Sequence, residues 1–294
     1  MPQIIETTCE QTCSLPEATE ALAALDFDPR DWESTQVAAH WLRRLANNRG
    51  FLAERLIDRL AGRSNGEIGS GYGPQAVVLS PVRGNMFLRA NIWPAETDLC
   101  MRNSGARSFV YGIPHDHNFS FLTCGYLGPG YRSDYFEYDY EDICGVPGET
   151  AQLRFVERSA LHEGKLMLYR AHRDVHAQIP AQSLSVSLNV MHVDPAQCWF
   201  DQYGFDLDRG EVTGILNPNA TEIFLRTAVA SRMEEALEFA EWVGRTHPSD
   251  RLRLASFDAR SGVVEDEDAL WREGEMCGSR MVAAVAREQR AKLA

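Results

Sequence analysis

The most informative segment of this sequence is Gly112-Ile-Pro-His115-Asp-His117-Asn-Phe-Ser-Phe-Leu-Thr-Cys-Gly125. In a β-strand, residues i and i+2 point to the same face of the sheet. Two histidines at that spacing direct both imidazoles to one side, where a single metal ion can bind both. The pattern therefore predicts that His115 and His117 are two ligands of one mononuclear metal site.

A third ligand has to come from another strand that passes the same point. The segment Gly164-Lys-Leu-Met-Leu-Tyr-Arg-Ala-His172-Arg-Asp174-Val-His176 supplies two candidates, His172 and His176. The chain has only eight histidines, and four of them fall in these two segments. This concentration favours a metal site over unrelated surface or core histidines, and from the residues alone the third ligand is either His172 or His176.

The surrounding residues are typical of β-structure, with short runs rich in Val, Ile, Phe, Tyr and Leu that are separated by Gly, Pro, Asn or Asp. The predicted strands are residues 76–79, 86–93, 109–113, 120–127, 131–140, 152–157, 165–170 and 184–192. About eight strands at this spacing favour a sandwich or a closed barrel.

Helical spacing of apolar residues flanks this region on both sides. Residues 31–62 predict two short helices with a break near 47–50, residues 219–244 predict one helix, and residues 268–293 predict a last one. Residues 1–30 are predicted to be irregular, and the Gly/Ser-rich residues 62–73 to be a linker. The amphipathic helices must pack either on the exterior of a barrel or across a homodimer.

Composition and charge exclude several functional classes. The formal net charge is -13, and without a local Lys/Arg cluster such a surface disfavours nucleic acid as a partner. The sequence has no run of roughly 18 apolar residues for a membrane span and no basic-then-apolar start for a signal peptide. Seven scattered cysteines are no disulfide framework and suit a reducing compartment, so we expect a cytoplasmic protein.

The two histidine segments resemble the motifs of the cupin superfamily. His115, His117 and Gly125 match its first motif, and Gly164 and His176 approximate its second. The resemblance implies that the β-rich part of the chain, residues 74–218, is a jelly-roll barrel in a mainly β protein. The helical spacing adds an N-terminal irregular and helical segment over 1–73 and a C-terminal helical segment over 219–294. The resemblance also favours His176 over His172 as the third ligand.

The sequence departs from the cupin pattern in one informative way, because no Glu follows His117 at the expected offset, where Ser120 and Phe121 stand. A three-histidine set without this Glu, together with the His-Asp-His run, resembles the thiol dioxygenases such as cysteine dioxygenase. The similarity covers about half of the chain. It implies an Arg on an earlier strand that holds the substrate carboxylate, for which Arg89 is the candidate. The family's Cys–Tyr crosslink is not expected, since Cys124 lies too far along the chain.

These features predict one divalent metal ion, with Fe(II) favoured and Zn, Ni or Mn as alternatives. Three protein ligands leave coordination positions open for a small substrate and O2, which favours a non-haem iron dioxygenase of a thiol- or carboxylate-bearing molecule. Tyr169 is a candidate to donate a hydrogen bond to dioxygen or an oxyanion. Alternatives are a non-redox cupin (isomerase, lyase or hydrolase), a non-catalytic cupin that binds a small molecule, and a 2-oxoglutarate oxygenase built on His172 and Asp174.

Overall fold

The computed structural model describes residues 1–63 and 73–294. These residues form two compact units, the first made of Met1–Tyr138 with Leu153–Pro195 and the second of Asp139–Gln152 with Ala196–Ala294. The predicted linker, residues 62–73, lies outside the described residues apart from its ends. The three-part division at residues 73 and 218 stays a prediction.

The first unit contains two antiparallel sheets. The larger sheet has six strands, in the spatial order β1 (Gln3–Ile5), β7 (Leu166–Tyr169), β4 (Phe121–Leu127), β9 (Ser185–His192), β3 (Met86–Trp93) and β2 (Ala76–Val78). The smaller sheet has three, in the order β6 (Arg154–Ala160), β5 (Arg132–Glu137) and β8 (Asp174–Ile179).

Helices cover one face of the six-stranded sheet. They are α1 (Leu15–Leu25), α2 (Trp32–Asn47) and α3 (Phe51–Leu60), and a short α4 (Leu99–Ser104) follows β3. Alternation along β4 directs Leu122 and Cys124 into the core beneath the helices. The irregular segment predicted over residues 1–30 is wrong at α1, because Ser14 forms a capping box with Glu17 and Pro16 is compatible with a first helical turn.

The opposite face of the six-stranded sheet and the three-stranded sheet enclose a second core, which is mostly aromatic. Its buried residues are Phe87, Trp93, Met101, Phe109, Tyr111, Phe121, Tyr131, Tyr135, Leu161, Met167, Tyr169 and Met191. We call this space the inter-sheet interior. Water is largely excluded from it, so polar side chains there interact strongly with one another.

The second unit is mainly helical. It contains a hairpin of β10 (Tyr203–Asp206) and β11 (Glu211–Ile215), followed by α5 (Ala220–Ala230), α6 (Glu234–Thr246), α7 (Asp250–Ser261), α8 (Glu267–Glu275) and α9 (Arg280–Leu293). The single helices predicted over 219–244 and 268–293 are each two helices. The breaks lie at Arg232 and Gly278, which both have a positive φ that interrupts a right-handed helix.

The fold class combines helices and sheets, with 40% helix and 24% strand. The predicted mainly-β class is therefore not shown, since the flanking helices cover more residues than the strands do. Among residues 1–63 and 73–294, the two sheets of the first unit are separate, and the predicted closed barrel is not found.

The strand predicted over 109–113 is wrong, because a 3-10 helix, Ala106–Phe109, ends there in a turn. No helix in the described parts of the chain is long and apolar enough to span a bilayer.

Gly125 of β4 allows a close approach between two segments of the first unit. A Cβ atom at this position would overlap the carbonyl oxygen of His162, and the backbone N–H of Gly164 donates to the Gly125 carbonyl at 2.8 Å. Gly125→Ala is therefore expected to lower the free energy of unfolding by about 1–3 kcal/mol. Chemical denaturation checks this value. Gly50→Ala is the control, since its added Cβ would meet only Glu54 Oε1 at an ordinary 3.5 Å.

Candidate metal centre

The His-Asp-His segment joins the edge of the three-stranded sheet. His115 donates its backbone N–H to the carbonyl of His176 at 3.0 Å, and His176 donates its own to the carbonyl of His115 at 2.9 Å. Gly112 N–H extends this pairing to the carbonyl of Gln178 at 2.9 Å. His115 and His176 are thus directly opposite each other in an antiparallel pair, which places their side chains on one face.

The three imidazoles of His115, His117 and His176 converge in the inter-sheet interior. The Nε2 atom of His176 lies 3.2 Å from Nε2 of His117 and 3.2 Å from Nε2 of His115. Nitrogen ligands about 2.1 Å from one ion lie about 3.0 Å apart at right angles and about 3.4 Å apart at the tetrahedral angle. The spacing of these nitrogens therefore fits one metal ion, and the ligand atoms all lie within 4.8 Å of one another.

A hydrogen bond to the main chain holds His115 in the tautomer that can coordinate a metal ion through Nε2. Its Nδ1 lies 2.7 Å from the carbonyl oxygen of Ile113, an acceptor only, so Nδ1 carries the proton. The lone pair of Nε2 is then directed at the other two rings, which is the arrangement found in metal-ligating histidines.

Burial keeps all three rings neutral. The pKa of His115 is lowered by desolvation, and the pKa of His117 and His176 lies well below the usual value because burial adds to repulsion from the neighbouring rings. Neutral imidazoles are the form that coordinates metal ions. In residues 1–63 and 73–294, this is the only group of three or more His, Cys, Asp or Glu side chains with such geometry.

His172 lies in the turn between β7 and β8 and is not part of this cluster. Its backbone N–H donates to the carbonyl of His117 at 2.8 Å, and its φ of 60° is in the left-handed region. Desolvation lowers the pKa of its imidazole to about 4. The structure thus brings three of the four predicted histidines together and ties the fourth to the site through its main chain.

Tyr169 approaches the cluster from the six-stranded sheet. Its hydroxyl lies 3.4 Å from Nδ1 of His176, 3.1 Å from the hydroxyl of Tyr135 and 3.4 Å from the hydroxyl of Tyr131. Burial raises the pKa of Tyr169 well above its usual value, so it is a neutral phenol. Tyr135 was not among the predicted site residues, although the alternation of Tyr135 and Glu137 with Phe136 and Tyr138 predicts that one face of this strand is buried.

Arg89 of β3 is directed into the same interior. Its neighbours in the strand, Leu88 and Ala90, pack beneath the helices, so alternation turns Arg89 to the other face, where it is only 9% exposed. Its positive charge contributes to the lowered pKa of His117 and opposes the raised pKa of Tyr131. Arg89 therefore acts electrostatically on the metal-binding cluster.

Two other residues of the motif do not face the cluster as ligands. Asp116 is fully buried, and Tyr138 donates its hydroxyl proton to Oδ2 of Asp116 at 2.6 Å. Cys124 faces the core beneath the helices, where burial raises the pKa of its thiol to about 12. Its position on the other face of the sheet agrees with the expectation that it forms no crosslink at the site.

Four other polar side chains of the first unit form contacts away from the cluster. Arg170 forms ion pairs with Asp174 at 2.6 Å and with Glu137 at 2.9 Å, and Arg173 lies 3.5 Å from Glu137. Tyr126 donates to the carbonyl of Arg49 at 2.7 Å on the helix-covered face, and Tyr111 donates to the carbonyl of Pro94 at 3.0 Å. Tyr131 differs from these groups, because its hydroxyl contacts that of Tyr169 beside the cluster.

Comparisons with known proteins find only distant similarity. No family model matches the sequence, and no curated protein matches it. The salicylate 1,2-dioxygenase of Pseudaminobacter salicylatoxidans shares 10% identity at a TM-score of 0.25, over 48% of this chain and 31% of that chain. The hydroquinone 1,2-dioxygenase of Sphingomonas sp. TTNP3 shares 8% identity at a TM-score of 0.26, over 43% of this chain and 71% of that chain. This chain thus spans about a third of the first of these enzymes, and similarity at this level assigns neither a family nor an activity.

Proposed function

We propose that this protein is a metal-dependent dioxygenase of the non-haem Fe(II) type that oxidises a small thiol- or carboxylate-bearing molecule. The observation that carries the proposal is the convergence of three neutral imidazoles in a buried interior, where Nε2 of His176 lies 3.2 Å from Nε2 of each of the other two. His115, His117 and His176 would hold the ion, which when bound supplies redox chemistry that side chains lack. Three protein ligands are typical of catalytic sites, whereas structural sites are fully ligated by the protein.

Arg89 supports the carboxylate part of the proposal. A guanidinium binds a carboxylate through two parallel hydrogen bonds, and this interaction is strong where water is excluded. Arg89 lies in the inter-sheet interior together with aromatic side chains that would surround a small substrate. In this proposal Arg89 orients the substrate, while the buried rings keep water from the reacting groups.

Metal analysis and oxygen uptake test the function. Protein purified without oxygen and loaded with Fe(II) is expected to consume O2 only when a small thiol or carboxylate is added. Tight zinc with no oxygen uptake would instead support a non-redox enzyme, and binding of a small molecule without turnover would support a non-catalytic role. Either result contradicts the dioxygenase proposal.

Arg89→Gln tests the substrate contact separately. Since a hydrogen bond to a charged group is worth about 1.5–3 kcal/mol, the KM for a carboxylate substrate is expected to rise by about 10- to 100-fold with unchanged metal content. Arg83→Gln is the matched control, because Arg83 is exposed on the same unit. An unchanged KM in Arg89→Gln would remove Arg89 from the substrate site.

A further inference from the structure

We infer that Tyr169, held by Tyr131 and Tyr135, is a positioning residue that fixes the ring of His176 for metal binding and accepts its Nδ1 proton when the site is loaded, and that it does not act on the substrate directly. This inference rests on the proposed metal site. It assigns a shared role to three tyrosines, which we call the tyrosine trio: Tyr131 just before β5, Tyr135 in β5 and Tyr169 in β7.

The position of the Tyr169 hydroxyl argues for this role. It lies 3.4 Å from Nδ1 of His176, whereas Nε2 of the same ring faces the other two histidines at 3.2 Å. Nδ1 and Nε2 lie on different edges of an imidazole. The hydroxyl of Tyr169 is therefore behind the ligand, on the side away from the point where the three Nε2 atoms converge.

Proton counting gives the direction of each hydrogen bond when the site is loaded. A neutral His176 that coordinates through Nε2 carries its proton on Nδ1, so Nδ1–H has to donate, and Tyr169 Oη is the acceptor. The proton of Tyr169 then goes to Tyr131 or Tyr135, and the remaining tyrosine can donate back to Tyr169. The two contacts at 3.1 and 3.4 Å hold two of the three hydroxyl protons, and when Tyr135 is the acceptor its own proton is directed at Sδ of Met167 at 3.9 Å.

Packing restricts the trio to this arrangement. Tyr131, Tyr135 and Tyr169 are at most 3% exposed. The ring of Tyr169 stacks on Phe121 with centroids 4.5 Å apart and an interplanar angle of 9°, and the ring of Tyr135 lies nearly parallel to that of His176 at 6.4 Å. Tyr135 and His176 are also direct partners in the register of β5 and β8. The hydroxyl of Tyr169 thus links a strand of the larger sheet to a ligand on the smaller one.

Binding of Co(II) by the purified protein tests the assignment, since it needs no turnover. Loss of a hydrogen-bond partner of a ligating histidine typically costs 10- to 100-fold in metal affinity. Tyr169→Phe, which keeps the stacked ring, is therefore expected to weaken Co(II) binding by about that factor and to shift the visible Co(II) spectrum. The thermal unfolding of the metal-free protein should change little by comparison.

Two further variants make the result specific. Tyr135→Phe keeps His176 in contact with Tyr169 and removes one support of the trio, so its loss of Co(II) affinity should be below tenfold. Tyr126→Phe, which removes a tyrosine hydroxyl on the helix-covered face, should bind Co(II) as the wild type does.

The outcomes separate this inference from the proposed function. Wild-type affinity and spectrum in Tyr169→Phe would overturn the positioning role, and a loss of turnover in that variant would then indicate direct catalysis by Tyr169. A wild-type protein that binds no Co(II) would overturn the metal site and the inference together. A wild type that binds Co(II), but whose Fe(II) form consumes no O2, contradicts only the proposed reaction.

Discussion

His176→Ala is expected to lose the bound metal, whereas His172→Ala is expected to keep it. His176 places its Nε2 3.2 Å from Nε2 of His115 and of His117, whereas His172 contacts the site through its backbone. Four-ligand zinc sites bind with about 10–16 kcal/mol, so one ligand contributes roughly 3 kcal/mol, or a factor of about 100 in affinity. His115→Ala and His117→Ala should show losses of the same size.

Metal content after purification and Co(II) titration measure these changes, and circular dichroism of each metal-free variant shows whether the fold persists. His172→Ala serves as the matched control, since it removes an imidazole that lies in the turn between β7 and β8 and is not part of the cluster. If metal content survives in His115→Ala and His117→Ala, the proposed site is wrong. If His172→Ala loses metal and His176→Ala does not, the third ligand is misassigned.

Arg251→Ala is expected to destabilise the second unit by about 3–5 kcal/mol, because it leaves the buried carboxylate of Asp201 and the partly exposed one of Glu222 without their counter-ion. Arg251 is 5% exposed and lies 3.2 Å from Asp201 and 3.1 Å from Glu222. Arg226→Ala is the control, since Arg226 pairs with Asp258 at 3.0 Å but is 71% exposed. A pair of this kind is worth less than about 1 kcal/mol. Equal losses of unfolding free energy in the two variants would show that burial of Arg251 does not determine the size of the effect.

The effect of Arg251→Ala should depend on pH. Burial raises the pKa of Asp201 to about 6 even though Arg251 acts in the opposite direction. A carboxyl whose folded pKa lies above its unfolded value binds more protons in the folded state, so its contribution to stability increases as the pH falls through 6. The destabilisation should therefore be smaller at pH 5 than at pH 8 in denaturant unfolding. A loss that is independent of pH would contradict this account of Asp201.

Local sequence signals predicted those parts of the molecule that depend on local periodicity. The strand over residues 86–93 and the break between the helices α2 and α3 were predicted closely, because alternation and helical spacing are strong there. The histidine pair was placed on one face by the same rule. Helix α7 and strand β8 were not predicted, because the polar residues that fill both obscure their periodicity.

The rest of the site depends on contacts between distant segments. Tyr135 and Tyr169 are 34 residues apart in sequence and meet only because two sheets face each other. The choice between His172 and His176 depends on a single turn, in which His172 adopts a left-handed φ and β8 begins at Asp174. No property of either histidine on its own predicts this difference, so the motif resemblance was needed to favour His176.

The backbone pair between His115 and His176 makes the metal-binding cluster sensitive to strand register. A slip of β8 by one residue would turn His176 to the outer face and bring Val175 or Ala177 inward. Register at the start of β8 is set by the turn in which Asp174 Oδ2 accepts the backbone N–H of Arg170 at 2.7 Å. An insertion or deletion of one residue in this turn would thus reduce the number of ligands from three to two, although all three histidines would still be present in the sequence.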